Sequence, residues 1–341
     1  MIENLKELCN LPGVSGNEHK VREYILNKVS SHVDCSVDAM GNIICFKKGK
    51  MPSNQKLMVD AHMDEVGLII TSVTDEGYLK FATVGGIETA VLMTRRVIIG
   101  EGEMGVISCK PYHLVEADER KKMPEKDSLF IDIGAKSRDQ ALEKVKLGDV
   151  AVFDSEYMPL GELIKAKAID DRAGCAILIK LLCEDSEYDF YATFSVQEEV
   201  GLRGAKAAAF TVNPDSAIVL ESTTAADIAG VSDDRMVCKV GCGVAVSFMD
   251  GATLYDKGYY DLAIQVAEKL QIPCQSKAAV TGGNNAGAIN SSRGGVRTVS
   301  LSVPCRYIHS PSCVASVEDV NSVYLLAKAM IAKICEQTAR P

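Results

Sequence analysis

Residues 57–67 read Leu-Met-Val-Asp-Ala-His-Met-Asp-Glu-Val-Gly. Leu57–Asp60 is a short apolar run of the kind that forms a buried β-strand, and His62 and Asp64 follow it directly. Beyond Gly67 the spacing of apolar residues changes, and short β-like runs succeed one another. This segment therefore marks the boundary between a strand-and-helix region and a β-rich region. It also places a histidine and carboxylates at the carboxyl end of a strand.

Outside the β-rich segment, strands alternate with helices. Helical spacing of apolar residues is present around Ile2 and Val21, and the last helix begins at the capping-box pattern Ser316-Val317-Glu318-Asp319. The expected strands are 42–46, 57–60, 190–196, 217–220 and 298–303, and the expected helices include 173–182, 259–270 and a segment from residue 204. This alternation predicts an α/β fold with a mostly parallel sheet and helices on both faces.

Residues 67–161 have the rhythm of an all-β module. Turn residues separate its expected strands, which are 68–72, 78–84, 96–99, 105–109, 129–133 and 150–153. The sequence thus predicts a small barrel-like β domain at 67–161, inserted into an α/β domain formed by residues 1–66 and 162–341. The charged stretch 116–126 is expected to be a mobile loop.

Composition argues against several classes of function. The chain of 341 residues is 47% hydrophobic, with a formal net charge of −9 and a pI of about 5.2, which disfavours nucleic acid and anionic membranes as partners. Trp is absent and aromatic residues make up 6%, so no stacking platform for bases is indicated. There is no signal-peptide pattern and no apolar run of the ~18 residues that a membrane span needs. A soluble cytoplasmic protein is expected.

The 12 cysteines do not form any C-x-x-C pair. Most lie inside apolar runs, among them Cys45, Cys109, Cys175, Cys183 and Cys335. Their spacing does not favour a disulfide or zinc–thiolate framework. We expect reduced cysteines that pack as small apolar residues in a reducing compartment.

Five polar patches fall just after expected strands of the α/β part. They are His62-Met63-Asp64-Glu65, Asp170-Asp171-Arg172, Gln197-Glu198-Glu199, Glu221 and Arg306-Tyr307-Ile308-His309. Each patch alone has an ordinary structural explanation, and the pair Asp170 and Asp171 could simply cap the apolar helix that follows. However, ligands of open α/β sheets bind outside the carboxyl ends of the strands. The five patches together therefore predict a site at this edge.

The residue types at this edge indicate a metal site. Four or five carboxylates packed together without cations would repel one another strongly. Carboxylate oxygen and imidazole nitrogen are ligands that suit Zn²⁺, Co²⁺ or Mn²⁺. Two divalent ions are therefore the expected cofactors.

Taken in order along nearly the whole chain, these motifs resemble those of the M42 family of metallo-aminopeptidases, the tetrahedral-aminopeptidase or glutamyl-aminopeptidase-like group. The resemblance is carried by LPGVSG at 11–16, AHMDEVG at 61–67, IDDRAG at 169–174, QEEVGLRGA at 197–205 and RYIHS at 306–310. It implies a zinc-peptidase-like catalytic domain that removes N-terminal residues from short peptides. It also implies that the β insert mediates dimerisation and that dimers form a tetrahedral dodecamer.

The resemblance further implies that five side chains hold the two ions. Asp170 would bridge them. His62 and Glu221 would complete one site, and Glu199 and His309 would complete the other. The family also has an unusual cis peptide directly after the bridging aspartate, so one is expected here.

Two further residues would support the reaction. Glu198 would be the general base, and Asp64 would hydrogen-bond the distal nitrogen of His62 and so fix its tautomer. The sequence departs from the family pattern in two loops: residues 282–286 read GGNNA where GGTDA is usual, and residues 241–244 read GCGV where GKGP is usual. These departures bear on substrate preference and rate, and neither removes a metal ligand.

Other functions remain open on the same residues. A deacylase or carboxypeptidase could use the same dinuclear site without a free α-amine on its substrate. A glucanase, a label that some relatives carry, would need two carboxylates flanking a sugar and usually aromatic platforms, so the absence of Trp argues against it. A non-enzymatic assembly protein would tolerate loss of a ligand, yet every candidate ligand and the candidate base are present.

Overall fold

The structure is a computed structural model that describes residues 1–116, 118 and 121–337. The expected mobile loop at 116–126 includes residues 117, 119 and 120, which lie outside the described residues. The helices are α1 (Ile2–Asn10), α2 (His19–Val29), α3 (Thr89–Leu92), α4 (Arg138–Leu142), α5 (Ile169–Cys183), α6 (Arg203–Val212), α7 (Lys257–Leu270), α8 (Ala286–Asn290) and α9 (Val317–Cys335).

The β-strands belong either to one large sheet or to a barrel. The sheet contains β1 (Asp34–Val37), β2 (Ile43–Lys47), β3 (Leu57–His62), β10 (Met158–Leu160), β11 (Leu163–Ala166), β12 (Phe190–Ser195), β13 (Ser216–Thr224), β14 (Val244–Val246), β15 (Cys274–Ser276), β16 (Arg297–Arg306) and β17 (Cys313–Ser316). The barrel contains β4 (Gly67–Val73), β5 (Leu79–Val84), β6 (Arg96–Ile99), β7 (Glu103–Ser108), β8 (Phe130–Asp132) and β9 (Val150–Phe153).

The large sheet has a parallel centre and mostly antiparallel flanks. Its order is β1-β2-β12-β3-β13-β16-β17-β11-β10, and β14 joins it through β16, with β15 beside β14. The four central strands β12, β3, β13 and β16 are parallel, whereas β1, β2, β17, β11 and β10 pair antiparallel. The predicted α/β fold is confirmed. Among the antiparallel strands, β2 overlaps the expected strand at 42–46, whereas β1, β10, β11 and β17 are too short to show a periodicity in the sequence.

Side-chain alternation along the central strands explains why helices cover both faces. Val59 and Ile218 point into the cluster that contains α5 and α9, whereas Met58 and Ala217 join a second cluster with residues of α6 and α8. Fully burying an apolar side chain of this size contributes about 1.5–3 kcal/mol. Each face of the sheet therefore needs its own layer of helices.

Helix α5 is the central helix and positions part of the site. Its sequence from Ala173 to Cys183 is almost entirely apolar and buried, as expected for a helix surrounded by other elements. Its first turn brings Asp170 next to His62 at the end of β3. None of the described helices, α5 included, is long and apolar enough to span a membrane.

The β-rich segment closes into a barrel in the order β4-β5-β8-β7-β6-β9. Its interior is a separate apolar cluster, filled by buried side chains that include Leu68, Ile70, Val97, Ile107 and Ile131. The barrel lies in the chain between β3 and β10 of the large sheet. The barrel-like fold predicted for this segment is confirmed.

Two cysteines behave differently from the prediction. Cys35 of β1 and Cys45 of β2 are directly opposite each other in the antiparallel pair and are joined by a disulfide. The expectation of reduced cysteines is wrong for this pair, because strand register brings the two together and spacing along the chain does not reveal that register. The other ten cysteines are free.

Candidate metal centre

The carboxyl ends of the central strands carry most of the candidate residues. His62 is the last residue of β3, and Glu198 and Glu199 follow β12. Glu221 lies in β13, and His309 follows β16. Because these strands are neighbours and run parallel, their polar residues gather at one edge of the sheet.

Asp170 lies between two histidine–glutamate pairs. Its Oδ1 is 3.3 Å from His62 Nε2, which is 3.5 Å from Glu221 Oε1. Its Oδ2 is 3.7 Å from His309 Nε2, which is 3.1 Å from Glu199 Oε2. One ligand atom from each of His62, Asp170 and Glu199 lies within 4.8 Å of the others. All five side chains expected to hold metal are therefore neighbours in space.

Asp64 lies behind His62, on the side away from Asp170. His62 Nδ1 is 3.1 Å from the Asp64 carbonyl oxygen and 3.3 Å from Asp64 Oδ1. A proton on Nδ1 leaves Nε2 with its lone pair directed at Asp170. The Asp64 carboxylate also accepts the backbone N–H groups of Glu198 at 3.0 Å and Glu199 at 3.1 Å. One buried carboxylate thus connects the segments after β3 and β12.

Burial and mutual repulsion perturb the carboxyl groups. Burial raises the pKa of Glu221 to about 8, helped by the charge of Asp170 and opposed by His62. Burial also raises the pKa of Glu198 well above its ordinary value, and the charges of Glu221 and Glu199 add to this. Burial would raise the pKa of Asp170 too, but the hydrogen bond and charge of His62 outweigh it and lower that pKa.

This donor set fits divalent cations. Among the described residues, no hydrogen-bond partner reaches the buried Oε2 of Glu221, and a buried polar atom without a partner is rare and costly. A cation would supply that partner and would relieve the repulsion between the carboxylates. Imidazole nitrogens together with carboxylate oxygens are the ligands of Zn²⁺, Co²⁺ and Mn²⁺ sites.

The backbone is strained at the same place. Ala168, Gln197 and His309 have φ angles of 55°, 55° and 60°, a region that residues with a Cβ rarely adopt. Each lies at or within two residues of a candidate ligand or of the candidate base. Such conformations persist where the surrounding structure holds them, and they are concentrated at functional sites. The peptide between Asp170 and Asp171 is cis, as expected from the resemblance.

The sequence matches the family model of the M42 glutamyl aminopeptidases over residues 41–326. The chain belongs to the M42 family. It is therefore an aminopeptidase of a metal-dependent family, a hydrolase that removes residues from the end of a peptide. The resemblance inferred from the motifs is confirmed.

Relatives of this M42 peptidase agree over almost its full length. It is 33% identical to the lysyl aminopeptidase of Pyrococcus furiosus, over 97% of both chains. It superposes with a TM-score of 0.94 on an aminopeptidase from the archaeon Desulfurococcus kamchatkensis, at 36% identity, covering 100% of this chain and 97% of that one. A TET peptidase of Pyrococcus horikoshii, which can assemble into a tetrahedron or a large octahedral shell, superposes with a TM-score of 0.85 at 35% identity, covering 96% of this chain and 98% of that one.

The two asparagines that depart from the usual M42 loop are buried. Asn285 Nδ2 donates to Asp60 Oδ2 and to Ser195 Oγ, each at 2.8 Å, and Asn284 Nδ2 donates to Ser300 Oγ at 3.2 Å. Asn285 thus ties the loop to the strands that lead to His62 and Glu198, and Asn284 ties it to β16, which leads to His309. Both side chains bond to strand residues, so we expect them to affect the site by fixing the positions of those strands.

A buried ion cluster that was not predicted from the sequence lies beside the M42 site. Lys167 Nζ lies 2.6 Å from Glu65 Oε1, and Arg172 Nη2 lies 3.5 Å from the same oxygen. Glu65 Oε1 also accepts the backbone N–H of Gly13 at 3.1 Å. Burial lowers the pKa of Lys167, and the charge of Glu65 opposes that shift. The sequence does contain a signal for this cluster: an acid, Glu65, in the segment 62–65 and two bases, Lys167 and Arg172, in the segment 167–172.

Proposed function

We propose that this aminopeptidase binds two divalent ions, one on each side of Asp170, and removes N-terminal residues from short peptides. One observation carries the proposal: the two carboxylate oxygens of Asp170 face different partners, His62 with Glu221 and His309 with Glu199. A shared carboxylate between two nitrogen–oxygen sites would hold two ions close together, as a two-metal hydrolase needs. Zn²⁺ or Co²⁺, and also Mn²⁺, match this donor set.

The protein side chains divide the remaining work. The bound ions would polarise the scissile carbonyl and make water more acidic. Glu198 takes the proton of the attacking water and passes it to the leaving amine. Its backbone N–H donates to the buried Asp64 carboxylate at 3.0 Å, which fixes Glu198 beside the candidate ligand Glu199. Asp64 holds the ring of His62 in one tautomer by accepting from Nδ1.

Self-association is the second part of the proposal. Met104, Val106 and Leu147 are apolar barrel residues that are about half exposed, at 47%, 45% and 57%, and exposed apolar groups of this kind favour burial against a partner. We propose that the insert, residues 67–161, mediates dimerisation and that dimers assemble into a tetrahedral dodecamer. Such a compartment would admit only short, unfolded peptides. Light scattering after size-exclusion chromatography would distinguish a monomer from a dimer or a dodecamer.

The cytoplasm is the compartment we propose for this activity. Ten of the twelve cysteines are free, and most of these are buried among apolar side chains. Free cysteines in this number are typical of proteins that work in a reducing compartment.

The experiment that tests the proposed chemistry is hydrolysis of a panel of unblocked aminoacyl-p-nitroanilides. The protein would first be stripped with a chelator and then supplied with Zn²⁺, Co²⁺ or Mn²⁺. We expect metal-dependent release from a free-amine substrate and no release from its N-acetylated form. Release of acetate from the acetylated form, without p-nitroaniline from the free-amine substrate, would favour a deacylase. The absence of p-nitroaniline release with every residue and metal would overturn the proposal.

A further inference from the structure

The loop before α2 carries two polar side chains with the spacing of a helix capping box. Ser15 and Glu18 are three residues apart, a pattern in which the two side chains usually satisfy the first turn of the following helix. Here α2 begins only at His19, and Glu18, its N-cap residue, makes no side-chain capping bond. Both side chains are therefore available to other segments.

Glu18 reaches the segment that carries the proposed base. It is buried, with 3% of its surface exposed. Its Oε1 accepts the backbone N–H of Gly16 at 2.7 Å and that of Gln197 at 3.2 Å. Gln197 has a φ of 55°, an unfavourable conformation for a residue with a side chain, and it directly precedes Glu198. An acceptor at this N–H helps to stabilise that conformation.

Ser15 reaches the same segment through Asp64. Its hydroxyl donates to Asp64 Oδ2 at 2.6 Å. Asp64 in turn accepts the backbone N–H groups of Glu198 and Glu199 at 3.0 and 3.1 Å. The three consecutive N–H groups of residues 197–199 are thus all held by carboxylates that the loop provides or orients.

We propose that Ser15 and Glu18 are positioning residues, which hold the backbone of residues 197–199 so that Glu198 is aligned for proton transfer. This inference rests on the proposed function, because it assumes that Glu198 is the base. Neither residue is among the five candidate metal ligands. Both act through hydrogen bonds alone, so what matters at position 18 is an acceptor oxygen and at position 15 a hydroxyl.

The test compares conservative and disruptive substitutions in the metal-loaded enzyme. Glu18→Met removes the acceptor, and we expect kcat to fall between about 10- and 100-fold, the range produced by a small misalignment of a reacting group. KM and bound metal should stay close to the wild-type values, and Tm should fall slightly because two backbone N–H groups lose their acceptor. Glu18→Gln keeps an acceptor oxygen and should restore kcat, whereas a merely structural or charge-based role predicts that both variants fail together. Lys20→Ala is the control, since its ion pair with Glu101 is exposed.

Ser15→Ala and Ser15→Thr keep the test decisive if Glu18→Met does not fold. Ser15→Ala should lower kcat, and Ser15→Thr should retain it. Wild-type kcat in both Ser15→Ala and Glu18→Met would overturn the inference, as would equal losses in Glu18→Met and Glu18→Gln. A loss of bound metal that parallels the loss of kcat would also overturn it. Failure of the proposed function is a separate result, because wild-type enzyme would then release nothing from free-amine substrates.

Discussion

His62 and Asp64 contact each other through two oxygens of the aspartate. His62 Nδ1 lies 3.1 Å from the Asp64 carbonyl oxygen and 3.3 Å from Oδ1. The carbonyl oxygen of Asp64 already favours the His62 tautomer that carries its proton on Nδ1. The Asp64 carboxylate places a negative charge beside the same nitrogen. This charge makes the imidazole a stronger donor of its Nε2 lone pair to a cation.

Asp64→Asn should weaken metal binding without removing a ligand. The amide keeps the size of the side chain but not its charge, and loss of such a partner typically lowers metal affinity by about 10- to 100-fold. Competition between the stripped protein and a fluorescent chelator for Zn²⁺ would measure the change. Asp185→Asn, which removes the same charge at an exposed position, should bind like the wild type. Equal affinities in all three proteins would contradict the role of Asp64.

Glu198→Gln should abolish most of the turnover while metal binding persists. Glutamine cannot accept the proton of the attacking water, and general-base catalysis is worth about 10²- to 10⁴-fold. Turnover of the best aminoacyl-p-nitroanilide would be measured alongside the metal content of the same sample. A variant that retains the wild-type kcat would show that another group is the base.

The strands that end in the site are predictable because each is a short apolar run followed directly by a polar residue. Expected strands at 96–99 and 150–153 coincide with β6 and β9, and those at 57–60 and 298–303 lie within β3 and β16. The barrel follows from the regular spacing of turns. Four of the five candidate ligands converge because they lie on or after neighbouring parallel strands, and Asp170 joins them from the first turn of α5.

Contacts between distant segments could not be predicted in the same way. Ser15 and Asp64 are 49 residues apart, and Glu18 and Gln197 are 179 residues apart. Their pairing depends on how the loop before α2 packs on the finished sheet, which no local pattern encodes. The spacing of Ser15 and Glu18 even favours a different outcome, a capping box. Tertiary packing therefore decides whether Ser15 and Glu18 cap α2 or bond to distant segments.

Glu65→Gln should destabilise the fold strongly. Glu65 is the carboxylate within 4 Å of both Lys167 and Arg172, and all three side chains are buried. Removing one partner of a buried ion pair typically costs about 3–5 kcal/mol, because the remaining charges stay desolvated. Urea denaturation at neutral pH would measure the loss. Glu3→Gln, which breaks an exposed pair with Lys6, should change little, and similar values for both variants would contradict the argument.

Glu184 should make stability depend on pH in the acid range. Burial would raise its pKa, but hydrogen bonds from Lys180, Lys328 and Tyr324 outweigh this and lower the pKa to about 2. A carboxyl whose pKa is lower in the folded state stabilises the fold above its unfolded pKa, which is 4.5, and loses that contribution as the pH falls towards 2. Because solvent screens the site, we expect a contribution of about 1 kcal/mol.

A pH series of urea denaturation would test this with Glu184→Gln. The variant should be less stable than the wild type at neutral pH, and the difference should shrink as the pH falls through the window between 4.5 and 2. Glu336→Gln is the matched control, because its pair with Lys333 is more exposed and joins residues of a single helix end. A difference that does not change with pH would assign the effect to packing.

Asn285→Asp, which restores the acid usual at this position in the family, should give a fold that weakens as the pH rises. Asn285 Nδ2 donates to Asp60 Oδ2 at 2.8 Å, and burial raises the pKa of Asp60 to about 6 despite this and other donors. Two carboxyl groups at such a distance cannot both ionise, so one of them keeps its proton to a higher pH.

The folded Asn285→Asp variant then binds a proton more tightly than the unfolded chain, whose Asp pKa is about 3.9. By linkage, its stability relative to the wild type is greatest at about pH 4 and falls with increasing pH, by about 1.4 kcal/mol for each unit by which that pKa is raised. Urea denaturation across this range would measure the trend, with Gln265→Glu, at an exposed position, as the control for the added charge. A constant difference from the wild type at every pH would mean that the loop moves to separate the two carboxyl groups, and that the asparagine is not needed to hold Asp60 in place.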